Sequence, residues 1–151
     1  MHKHLRRLDR VWIENPIYFV TSCTRNRRAY LACETAAAVL QDEWQNAQRR
    51  HGWLIGRYVV MPEHVHFFCA PEYDAKPLSK FMGFWKEWTS KRIEKALRLT
   101  DRLWQEEFFD HVLRSDEIYR EKWEYACANP VRAGLVVESG DWPWQGDIGQ
   151  L

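Results

Sequence analysis

The sequence predicts an α+β fold: a ferredoxin-like antiparallel sheet with helices on one face, plus a C-terminal helix that carries a tyrosine. Three observations lead there. Short β-prone runs recur along the chain, and long segments with helical apolar spacing separate them. Their order, strand, helix, strand, strand, helix, strand, helix, is the ferredoxin-like order with one helix appended. The 151 residues, 46% apolar with nine Trp and seven Phe, suffice for one core, so residues 1–151 are expected to form a single domain.

Val11 to Cys23 is rich in β-branched and aromatic residues, and Arg25-Asn26-Arg27-Arg28 breaks the run, which predicts the first strand. From Glu34 to about Arg50 the apolar positions Ala36, Leu40, Trp44 and Ala47 recur at helical spacing, and Gly52 suits the cap that follows. Trp53 to Met61 and His64 to Ala70 flank Pro62-Glu63 as a tight hairpin would, and Pro71 ends the second strand. Leu78, Phe81, Met82, Trp85, Trp88 and Ile93 lay an apolar stripe down a second long helix whose other faces are rich in Lys and Arg. A short fourth strand is expected near Leu103 to Phe108, and a last helix from about Asp116 towards Asn129. About 1–10 and 137–151 are expected to be peripheral arms, the latter pinned by Trp142 and Trp144.

The formal net charge of +1 gives no global argument for nucleic acid. Positive charge is nevertheless clustered: Lys3, Arg6, Arg7 and Arg10; then Arg25, Arg27 and Arg28; then Lys80, Lys86, Lys91, Arg92, Lys95, Arg98 and Arg102. Each run alone reads as a solvated face, while three in one small domain point to a polyanion partner. Cys23, Cys33, Cys69 and Cys127 form no C-x-x-C pair, so neither a zinc ribbon nor a redox motif is expected. Without a signal-like segment or an apolar run of about 18 residues, the expected location is cytoplasmic, at the nucleoid, with no membrane partner.

Two features carry chemistry. In Pro62-Glu63-His64-Val65-His66-Phe67-Phe68 strand alternation puts His64 and His66 on one face, where two imidazoles can share a metal ion, or stand as ordinary half-exposed histidines. Cys69 has the opposite parity, which counts against a structural zinc site. On the last helix, Tyr119, Trp123, Ala126 and Cys127 form the packing stripe, and Tyr125, about 200° around from Trp123, lies off it. Such a tyrosine can present its hydroxyl to a substrate, or simply sit on the surface. Asn129, one turn later, either offers a carbonyl oxygen on the same side or caps a helix before Pro130.

Taken together, Pro62-Glu63-His64-Val65-His66, then Leu103-Trp104-Gln105 with Phe108 and His111, then Tyr125 and Asn129-Pro130-Val131-Arg132-Ala133-Gly134-Leu135-Val136 resemble the REP-associated tyrosine transposases of the HUH nuclease class. The aromatic first strand ending at Thr24-Arg25-Asn26-Arg27-Arg28 is similar too, so nearly the whole chain is covered. The resemblance implies a ferredoxin-like enzyme acting on single-stranded DNA at hairpin-forming repetitive palindromes. It implies His64 and His66 as ligands of a divalent metal, Mg or Mn, Asn129 as a third ligand, and Tyr125 as the nucleophile. Arg25, Arg27, Arg28, Lys86, Lys91 and Lys95 are the expected DNA contacts, and an active monomer is expected, with a dimer as the alternative.

Two other classes compete. A non-catalytic nucleic-acid-binding ferredoxin-like module stacks bases on its sheet, although its signature aromatic strand motif is absent here. A metal-dependent phosphoesterase for small substrates needs a second paired-histidine motif on its sheet, and His64-Val65-His66 is the one that falls on an expected strand.

Overall fold

The computed structural model describes residues 16–149 and 151. The expected N-terminal arm and the start of the first strand lie outside the described residues. The elements are β1 (Ile17–Cys23), α1 (Glu34–Gln45), α2 (Ala47–His51), β2 (Trp53–Val60), β3 (His64–Pro71), α3 (Leu78–Leu97), β4 (Phe109–Leu113), α4 (Asp116–Cys127), α5 (Asn129–Arg132) and β5 (Gln145–Asp147). They form one antiparallel sheet of order β4-β1-β3-β2-β5, whose first four positions follow the ferredoxin-like order.

The β2–β3 hairpin closes tightly because the Met61 amide donates to the His64 carbonyl across Pro62-Glu63. The chain after β1 then clamps this turn: Thr24 donates to the Glu63 carbonyl and Leu31 to that of Pro62. Helices α1 and α3 cover one face of the sheet, with Trp44 stacked on Trp85 at 5.9 Å and Val65, Phe67 and Cys69 of β3 buried beneath them. On the opposite face Phe19, Val59, Phe68 and Leu113 pack against Ala126 of α4 and against Trp142. Both faces of the central strand β3 are therefore covered.

Four details differ from the sequence-based expectation. The first helix breaks at Asn46, whose side-chain amide donates to the Asp42 carbonyl and competes with the helix ladder; α2 follows and ends at Gly52 with φ of 75°. Trp88 is 46% exposed rather than part of the core stripe, with the Lys91 ammonium 5.2 Å above its ring. The fourth strand runs over Phe109–Leu113, not Leu103 to Phe108. The earlier stretch is held as an irregular segment, because the carbonyls of Gln105, Glu106 and Glu107 all turn onto the Lys86 ammonium at 2.8, 3.0 and 2.8 Å instead of entering a ladder.

The fourth difference is the C-terminal segment, which is part of the sheet rather than a peripheral arm. β5 pairs with β2 through Arg57↔Asp147 to Val59↔Gln145, and the Trp142 indole, 8% exposed, donates to the Val60 carbonyl at 3.0 Å. A bulge between Ile55 and Tyr58 shapes β2 here, and Leu151 seats so closely on Gly56 that a Cβ at that position would stand 2.8 Å from it. Replacing Trp142 by Ala should therefore cost about 3 kcal/mol, from the emptied volume and the orphaned carbonyl. Urea unfolding checks this: a midpoint equal to wild type would return residues 137–151 to the status of a loose arm.

Candidate active site

β1 and β3 pair with Thr21 opposite His66 and Cys23 opposite His64, and this register builds the site. The two imidazoles share the face that α4 covers, at 4.7 Å between ring centres and nearly perpendicular. His66 is 6% exposed and stacks on Phe19 at 5.1 Å. Its Nδ1 lies 2.8 Å from the Thr21 hydroxyl, and the Nδ1 of His64 lies 2.9 Å from the Glu63 carboxylate. With the ring proton on Nδ1 in each case, the Nε2 lone pairs of both rings are left to accept a ligand.

Both rings are neutral at ordinary pH. Burial pushes the His66 pKa down to about 3, helped by the neighbouring His64, which would share the added charge, and by the charges of Arg132 and Lys122. Burial also lowers His64, with Glu63 opposing it through its hydrogen bond and charge, so the His64–Glu63 contact is a hydrogen bond to a neutral ring rather than an ion pair. Neutral imidazole is the form that ligates a metal.

α4 brings the tyrosine to this pair. Ser115 caps the helix by accepting from the Ile118 amide, Tyr119 stacks on Phe68 at 4.3 Å, and Trp123 packs on the same ring with the Arg57 guanidinium over its own. With that stripe and Ala126 held against the sheet, Tyr125 stands beside it, 56% exposed, its ring 6.2 Å from that of His66 in an edge-to-face arrangement. Helical spacing aligns Lys122, Tyr125 and Asn129. Glu117, Glu121 and Glu124 are all exposed, on the solvent side of the helix. Asn129 opens α5, and its amide nitrogen is buried without a hydrogen-bond partner.

The cationic residues divide. Arg25, Arg27 and Arg28 are exposed in and just after the 3-10 turn that follows β1, and Arg27 acts electrostatically on His64. Lys86, Lys91 and Lys95 ride on α3, which packs against the other face of the sheet, so the fold does not bring them to the histidines. Lys86 is consumed by its three carbonyls, and Lys91 pairs with Glu87 at 3.0 Å. The residues that do surround the histidines include four for which the sequence suggested no role: Thr21, Glu63, Lys122 and Arg132. The spacing of Lys122 and Arg132 from Tyr125, three and seven residues, was the available signal for two of them.

Residues 13–122 match the family described as transposase IS200-like. The chain belongs to the IS200-like transposases. Within that family it falls among the REP-associated tyrosine transposases, being 32% identical over 136 residues to the one from Escherichia coli K12, across 89% of this chain and 78% of that protein. A putative REP-associated tyrosine transposase of Haemophilus influenzae is 25% identical over 56% of this chain and 53% of its own length. A solved REP-associated tyrosine transposase bound to a REP hairpin superposes with a TM-score of 0.68 at 30% identity, over 86% of this chain and 75% of that one. A putative transposase from Deinococcus radiodurans, at 19% identity and a TM-score of 0.58 over 74% of this chain and 88% of that one, shares the fold. The family match ends three residues before Tyr125, so the case for that tyrosine in this IS200-like transposase stands on its geometry.

The depressed histidine predicts acid sensitivity. As pH falls below the unfolded imidazole value of about 6.5 the unfolded chain takes up a proton that the native His66 refuses, and stability is lost from there down to about pH 3. The slope from this one group approaches about 1.4 kcal/mol per pH unit. Urea midpoints at pH 7, 6 and 5 should fall less steeply for His66→Gln than for wild type; parallel declines would contradict a buried neutral His66.

Proposed function

We propose that this chain is a metal-dependent single-stranded DNA endonuclease and strand transferase that works through a covalent phosphotyrosine at hairpin-containing repeats. The observation that carries the reading is an exposed phenol, Tyr125, placed edge-on at 6.2 Å from a buried, neutral His66 of the same chain. The solved relative bound to a REP hairpin supports hairpin-forming palindromes as the substrate class.

The donor set fits a divalent cation. His64 and His66 would hold it through Nε2, since each Nδ1 is already engaged by Glu63 or Thr21. Asn129 would add its amide oxygen, and the partnerless buried amide end of that residue is consistent with an uncommitted group there. Among the described residues no cluster of three or more His, Cys, Asp or Glu competes for the ion. Two imidazoles and an amide oxygen suit Mn²⁺ by softness and leave room for Mg²⁺ with its waters. Such an ion, when bound, polarises the phosphate and stabilises the charge that develops on it.

The chain's own groups supply the covalent step. The Tyr125 oxygen forms a bond to phosphorus, its proton passing to solvent, while the bond from phosphorus to the 3′ oxygen breaks and that oxygen leaves as a hydroxyl after taking a proton from water. One phosphodiester becomes one phosphotyrosyl ester, so a 3′ hydroxyl can later reverse the exchange without ATP. The exposed Arg25, Arg27 and Arg28, next to the turn that carries His64, supply cations for the approaching strand.

Tyr125→Phe should bind single-stranded hairpin DNA yet lower the rate of covalent adduct formation by roughly 10³-fold or more, whereas Tyr119→Phe, whose residue packs on Phe68, should retain adduct formation. Denaturing gels with labelled oligonucleotides and Mg²⁺ or Mn²⁺ read both; the reverse pattern would sink the assignment.

Because Tyr125 meets His66 of its own chain, the proposed working unit is a monomer. A mixture of His64→Ala and Tyr125→Phe proteins, co-expressed, should stay inactive. Recovery of a substantial share of wild-type nicking, with a dimer seen by light scattering, would assign the site to two chains.

A further inference from the structure

Two cations flank Tyr125, and neither is paired with a carboxylate among the described residues. The Arg132 guanidinium lies 4.3 Å above the Tyr125 ring, and one of its nitrogens donates to the Tyr125 carbonyl at 2.8 Å. That single bond leaves its other N–H donors without a protein acceptor among the described residues. Lys122, one turn earlier, lies with its ammonium 5.9 Å from the centre of the Phe19 ring, the ring that stacks on His66. Both also act electrostatically on the buried His66, so both charges lie within reach of the imidazole pair. Three other cations of this protein are paired: Arg92 binds Asp42 and Glu43, Arg50 binds Glu43, and Lys91 binds Glu87.

Two cations unpaired among the described residues stand beside buried neutral rings and make this rim electropositive, the nearby Glu63 carboxylate being engaged by His64. A dianion is not required to fill it; the single negative charge of a phosphodiester suffices. The guanidinium is suited to the task, because its planar fork takes two oxygens at once while its face rests on the tyrosine.

Resting on the reading of Tyr125 as the nucleophile, we infer that Arg132 and Lys122 form a clamp that grips the scissile phosphate from two sides, Arg132 also holding the phenol in line for attack. Arg132 does this from the short helix α5, so the α4–α5 corner ties the position of the tyrosine to that of the anion. Lys122 acts from one turn before Tyr125, on the side of Phe19. Both are catalytic residues in the strict sense, contacting the non-bridging oxygens whose charge changes during attack.

The test is a cycle between the protein cations and the charge of the phosphate. Wild type, Arg132→Ala, Arg132→Lys and Lys122→Ala are given a single-stranded oligonucleotide containing one palindromic hairpin repeat of the source genome, with Mn²⁺. A second oligonucleotide carries an uncharged methylphosphonate at the linkage that wild type cleaves. On the natural linkage each alanine variant should form adduct about 10²-fold more slowly at saturating DNA, and Arg132→Lys should recover part of that loss. On the neutral linkage the variants and wild type should react within about twofold of one another, since there is no charge left to grip.

The same cycle is read in binding with Tyr125→Phe as the common background, so it reports even where the neutral linkage reacts slowly. There, with chelator in place of Mn²⁺, removing the phosphate charge should weaken binding with Arg132 and Lys122 present and weaken it several-fold less once both are Ala. Equal losses on the charged and neutral linkages would mean that Arg132 merely braces the α4–α5 corner, and would overturn the clamp while leaving Tyr125 as nucleophile. An adduct that still forms on Tyr125→Phe protein would instead reject the site reading, and the clamp with it.

Discussion

β3 is buried on both faces, and each of its side chains must find a partner on one side or the other. Val65, Phe67 and Cys69 take the side of α1 and α3, which commits His64, His66 and Phe68 to the side of α4. A buried imidazole is tolerable only if neutral and hydrogen-bonded, and the antiparallel register with β1 meets that demand by putting the Thr21 hydroxyl against His66. A slip of one residue would send both histidines into the core of aromatic rings and the hydrocarbon residues out to α4. The register of one strand pair thus determines the chemistry of the face.

The same parity recruits the tyrosine. Phe68, two residues beyond His66, is the ring on which Tyr119 and Trp123 seat, and their seating sets the rotation of α4 about its axis. With that rotation fixed, Tyr125 is left beside His66 and the helix carboxylates are turned to solvent. Charge is arranged by the same geometry: neutral rings at the bottom, the Glu63 carboxylate held on His64, Lys122, Arg132 and Arg27 around the rim, and Glu117, Glu121 and Glu124 exposed to solvent. An anion approaching the tyrosine therefore meets Lys122 and Arg132 at the rim.

The histidine face and the off-stripe tyrosine were legible in the sequence because each depends on local periodicity, two residues for a strand and 3.6 for a helix. The hairpin was legible for the same reason, Pro62-Glu63 being a clear break between two β-prone runs. What periodicity does not contain is the partner across the sheet. Thr21 and Glu63 become the orienting groups only through the β1–β3 register and the turn geometry. Lys86 looked like one more basic residue on a solvated helix, and only tertiary structure shows it gathering three carbonyls and so preventing a strand at Leu103 to Phe108. The edge strand β4 escaped notice because four of its five residues are exposed, which weakens apolar alternation. β5 is only three residues long, Gln145–Asp147, and its sequence is polar; it exists because Trp142 packs beside Val59 and Met61, donates to the Val60 carbonyl and so carries the chain back along β2.

The central claim is that one chain presents Tyr125 as a nucleophile beside its own neutral histidine pair, and locating the covalent bond tests it most directly. Adduct made with a single-stranded hairpin oligonucleotide, digested with nuclease and trypsin and read by mass spectrometry, should carry the nucleotide on Tyr125 within the peptide spanning residues 123–132. A nucleotide found on Tyr119, on another residue, or on no residue at all while the DNA is still cut would contradict it.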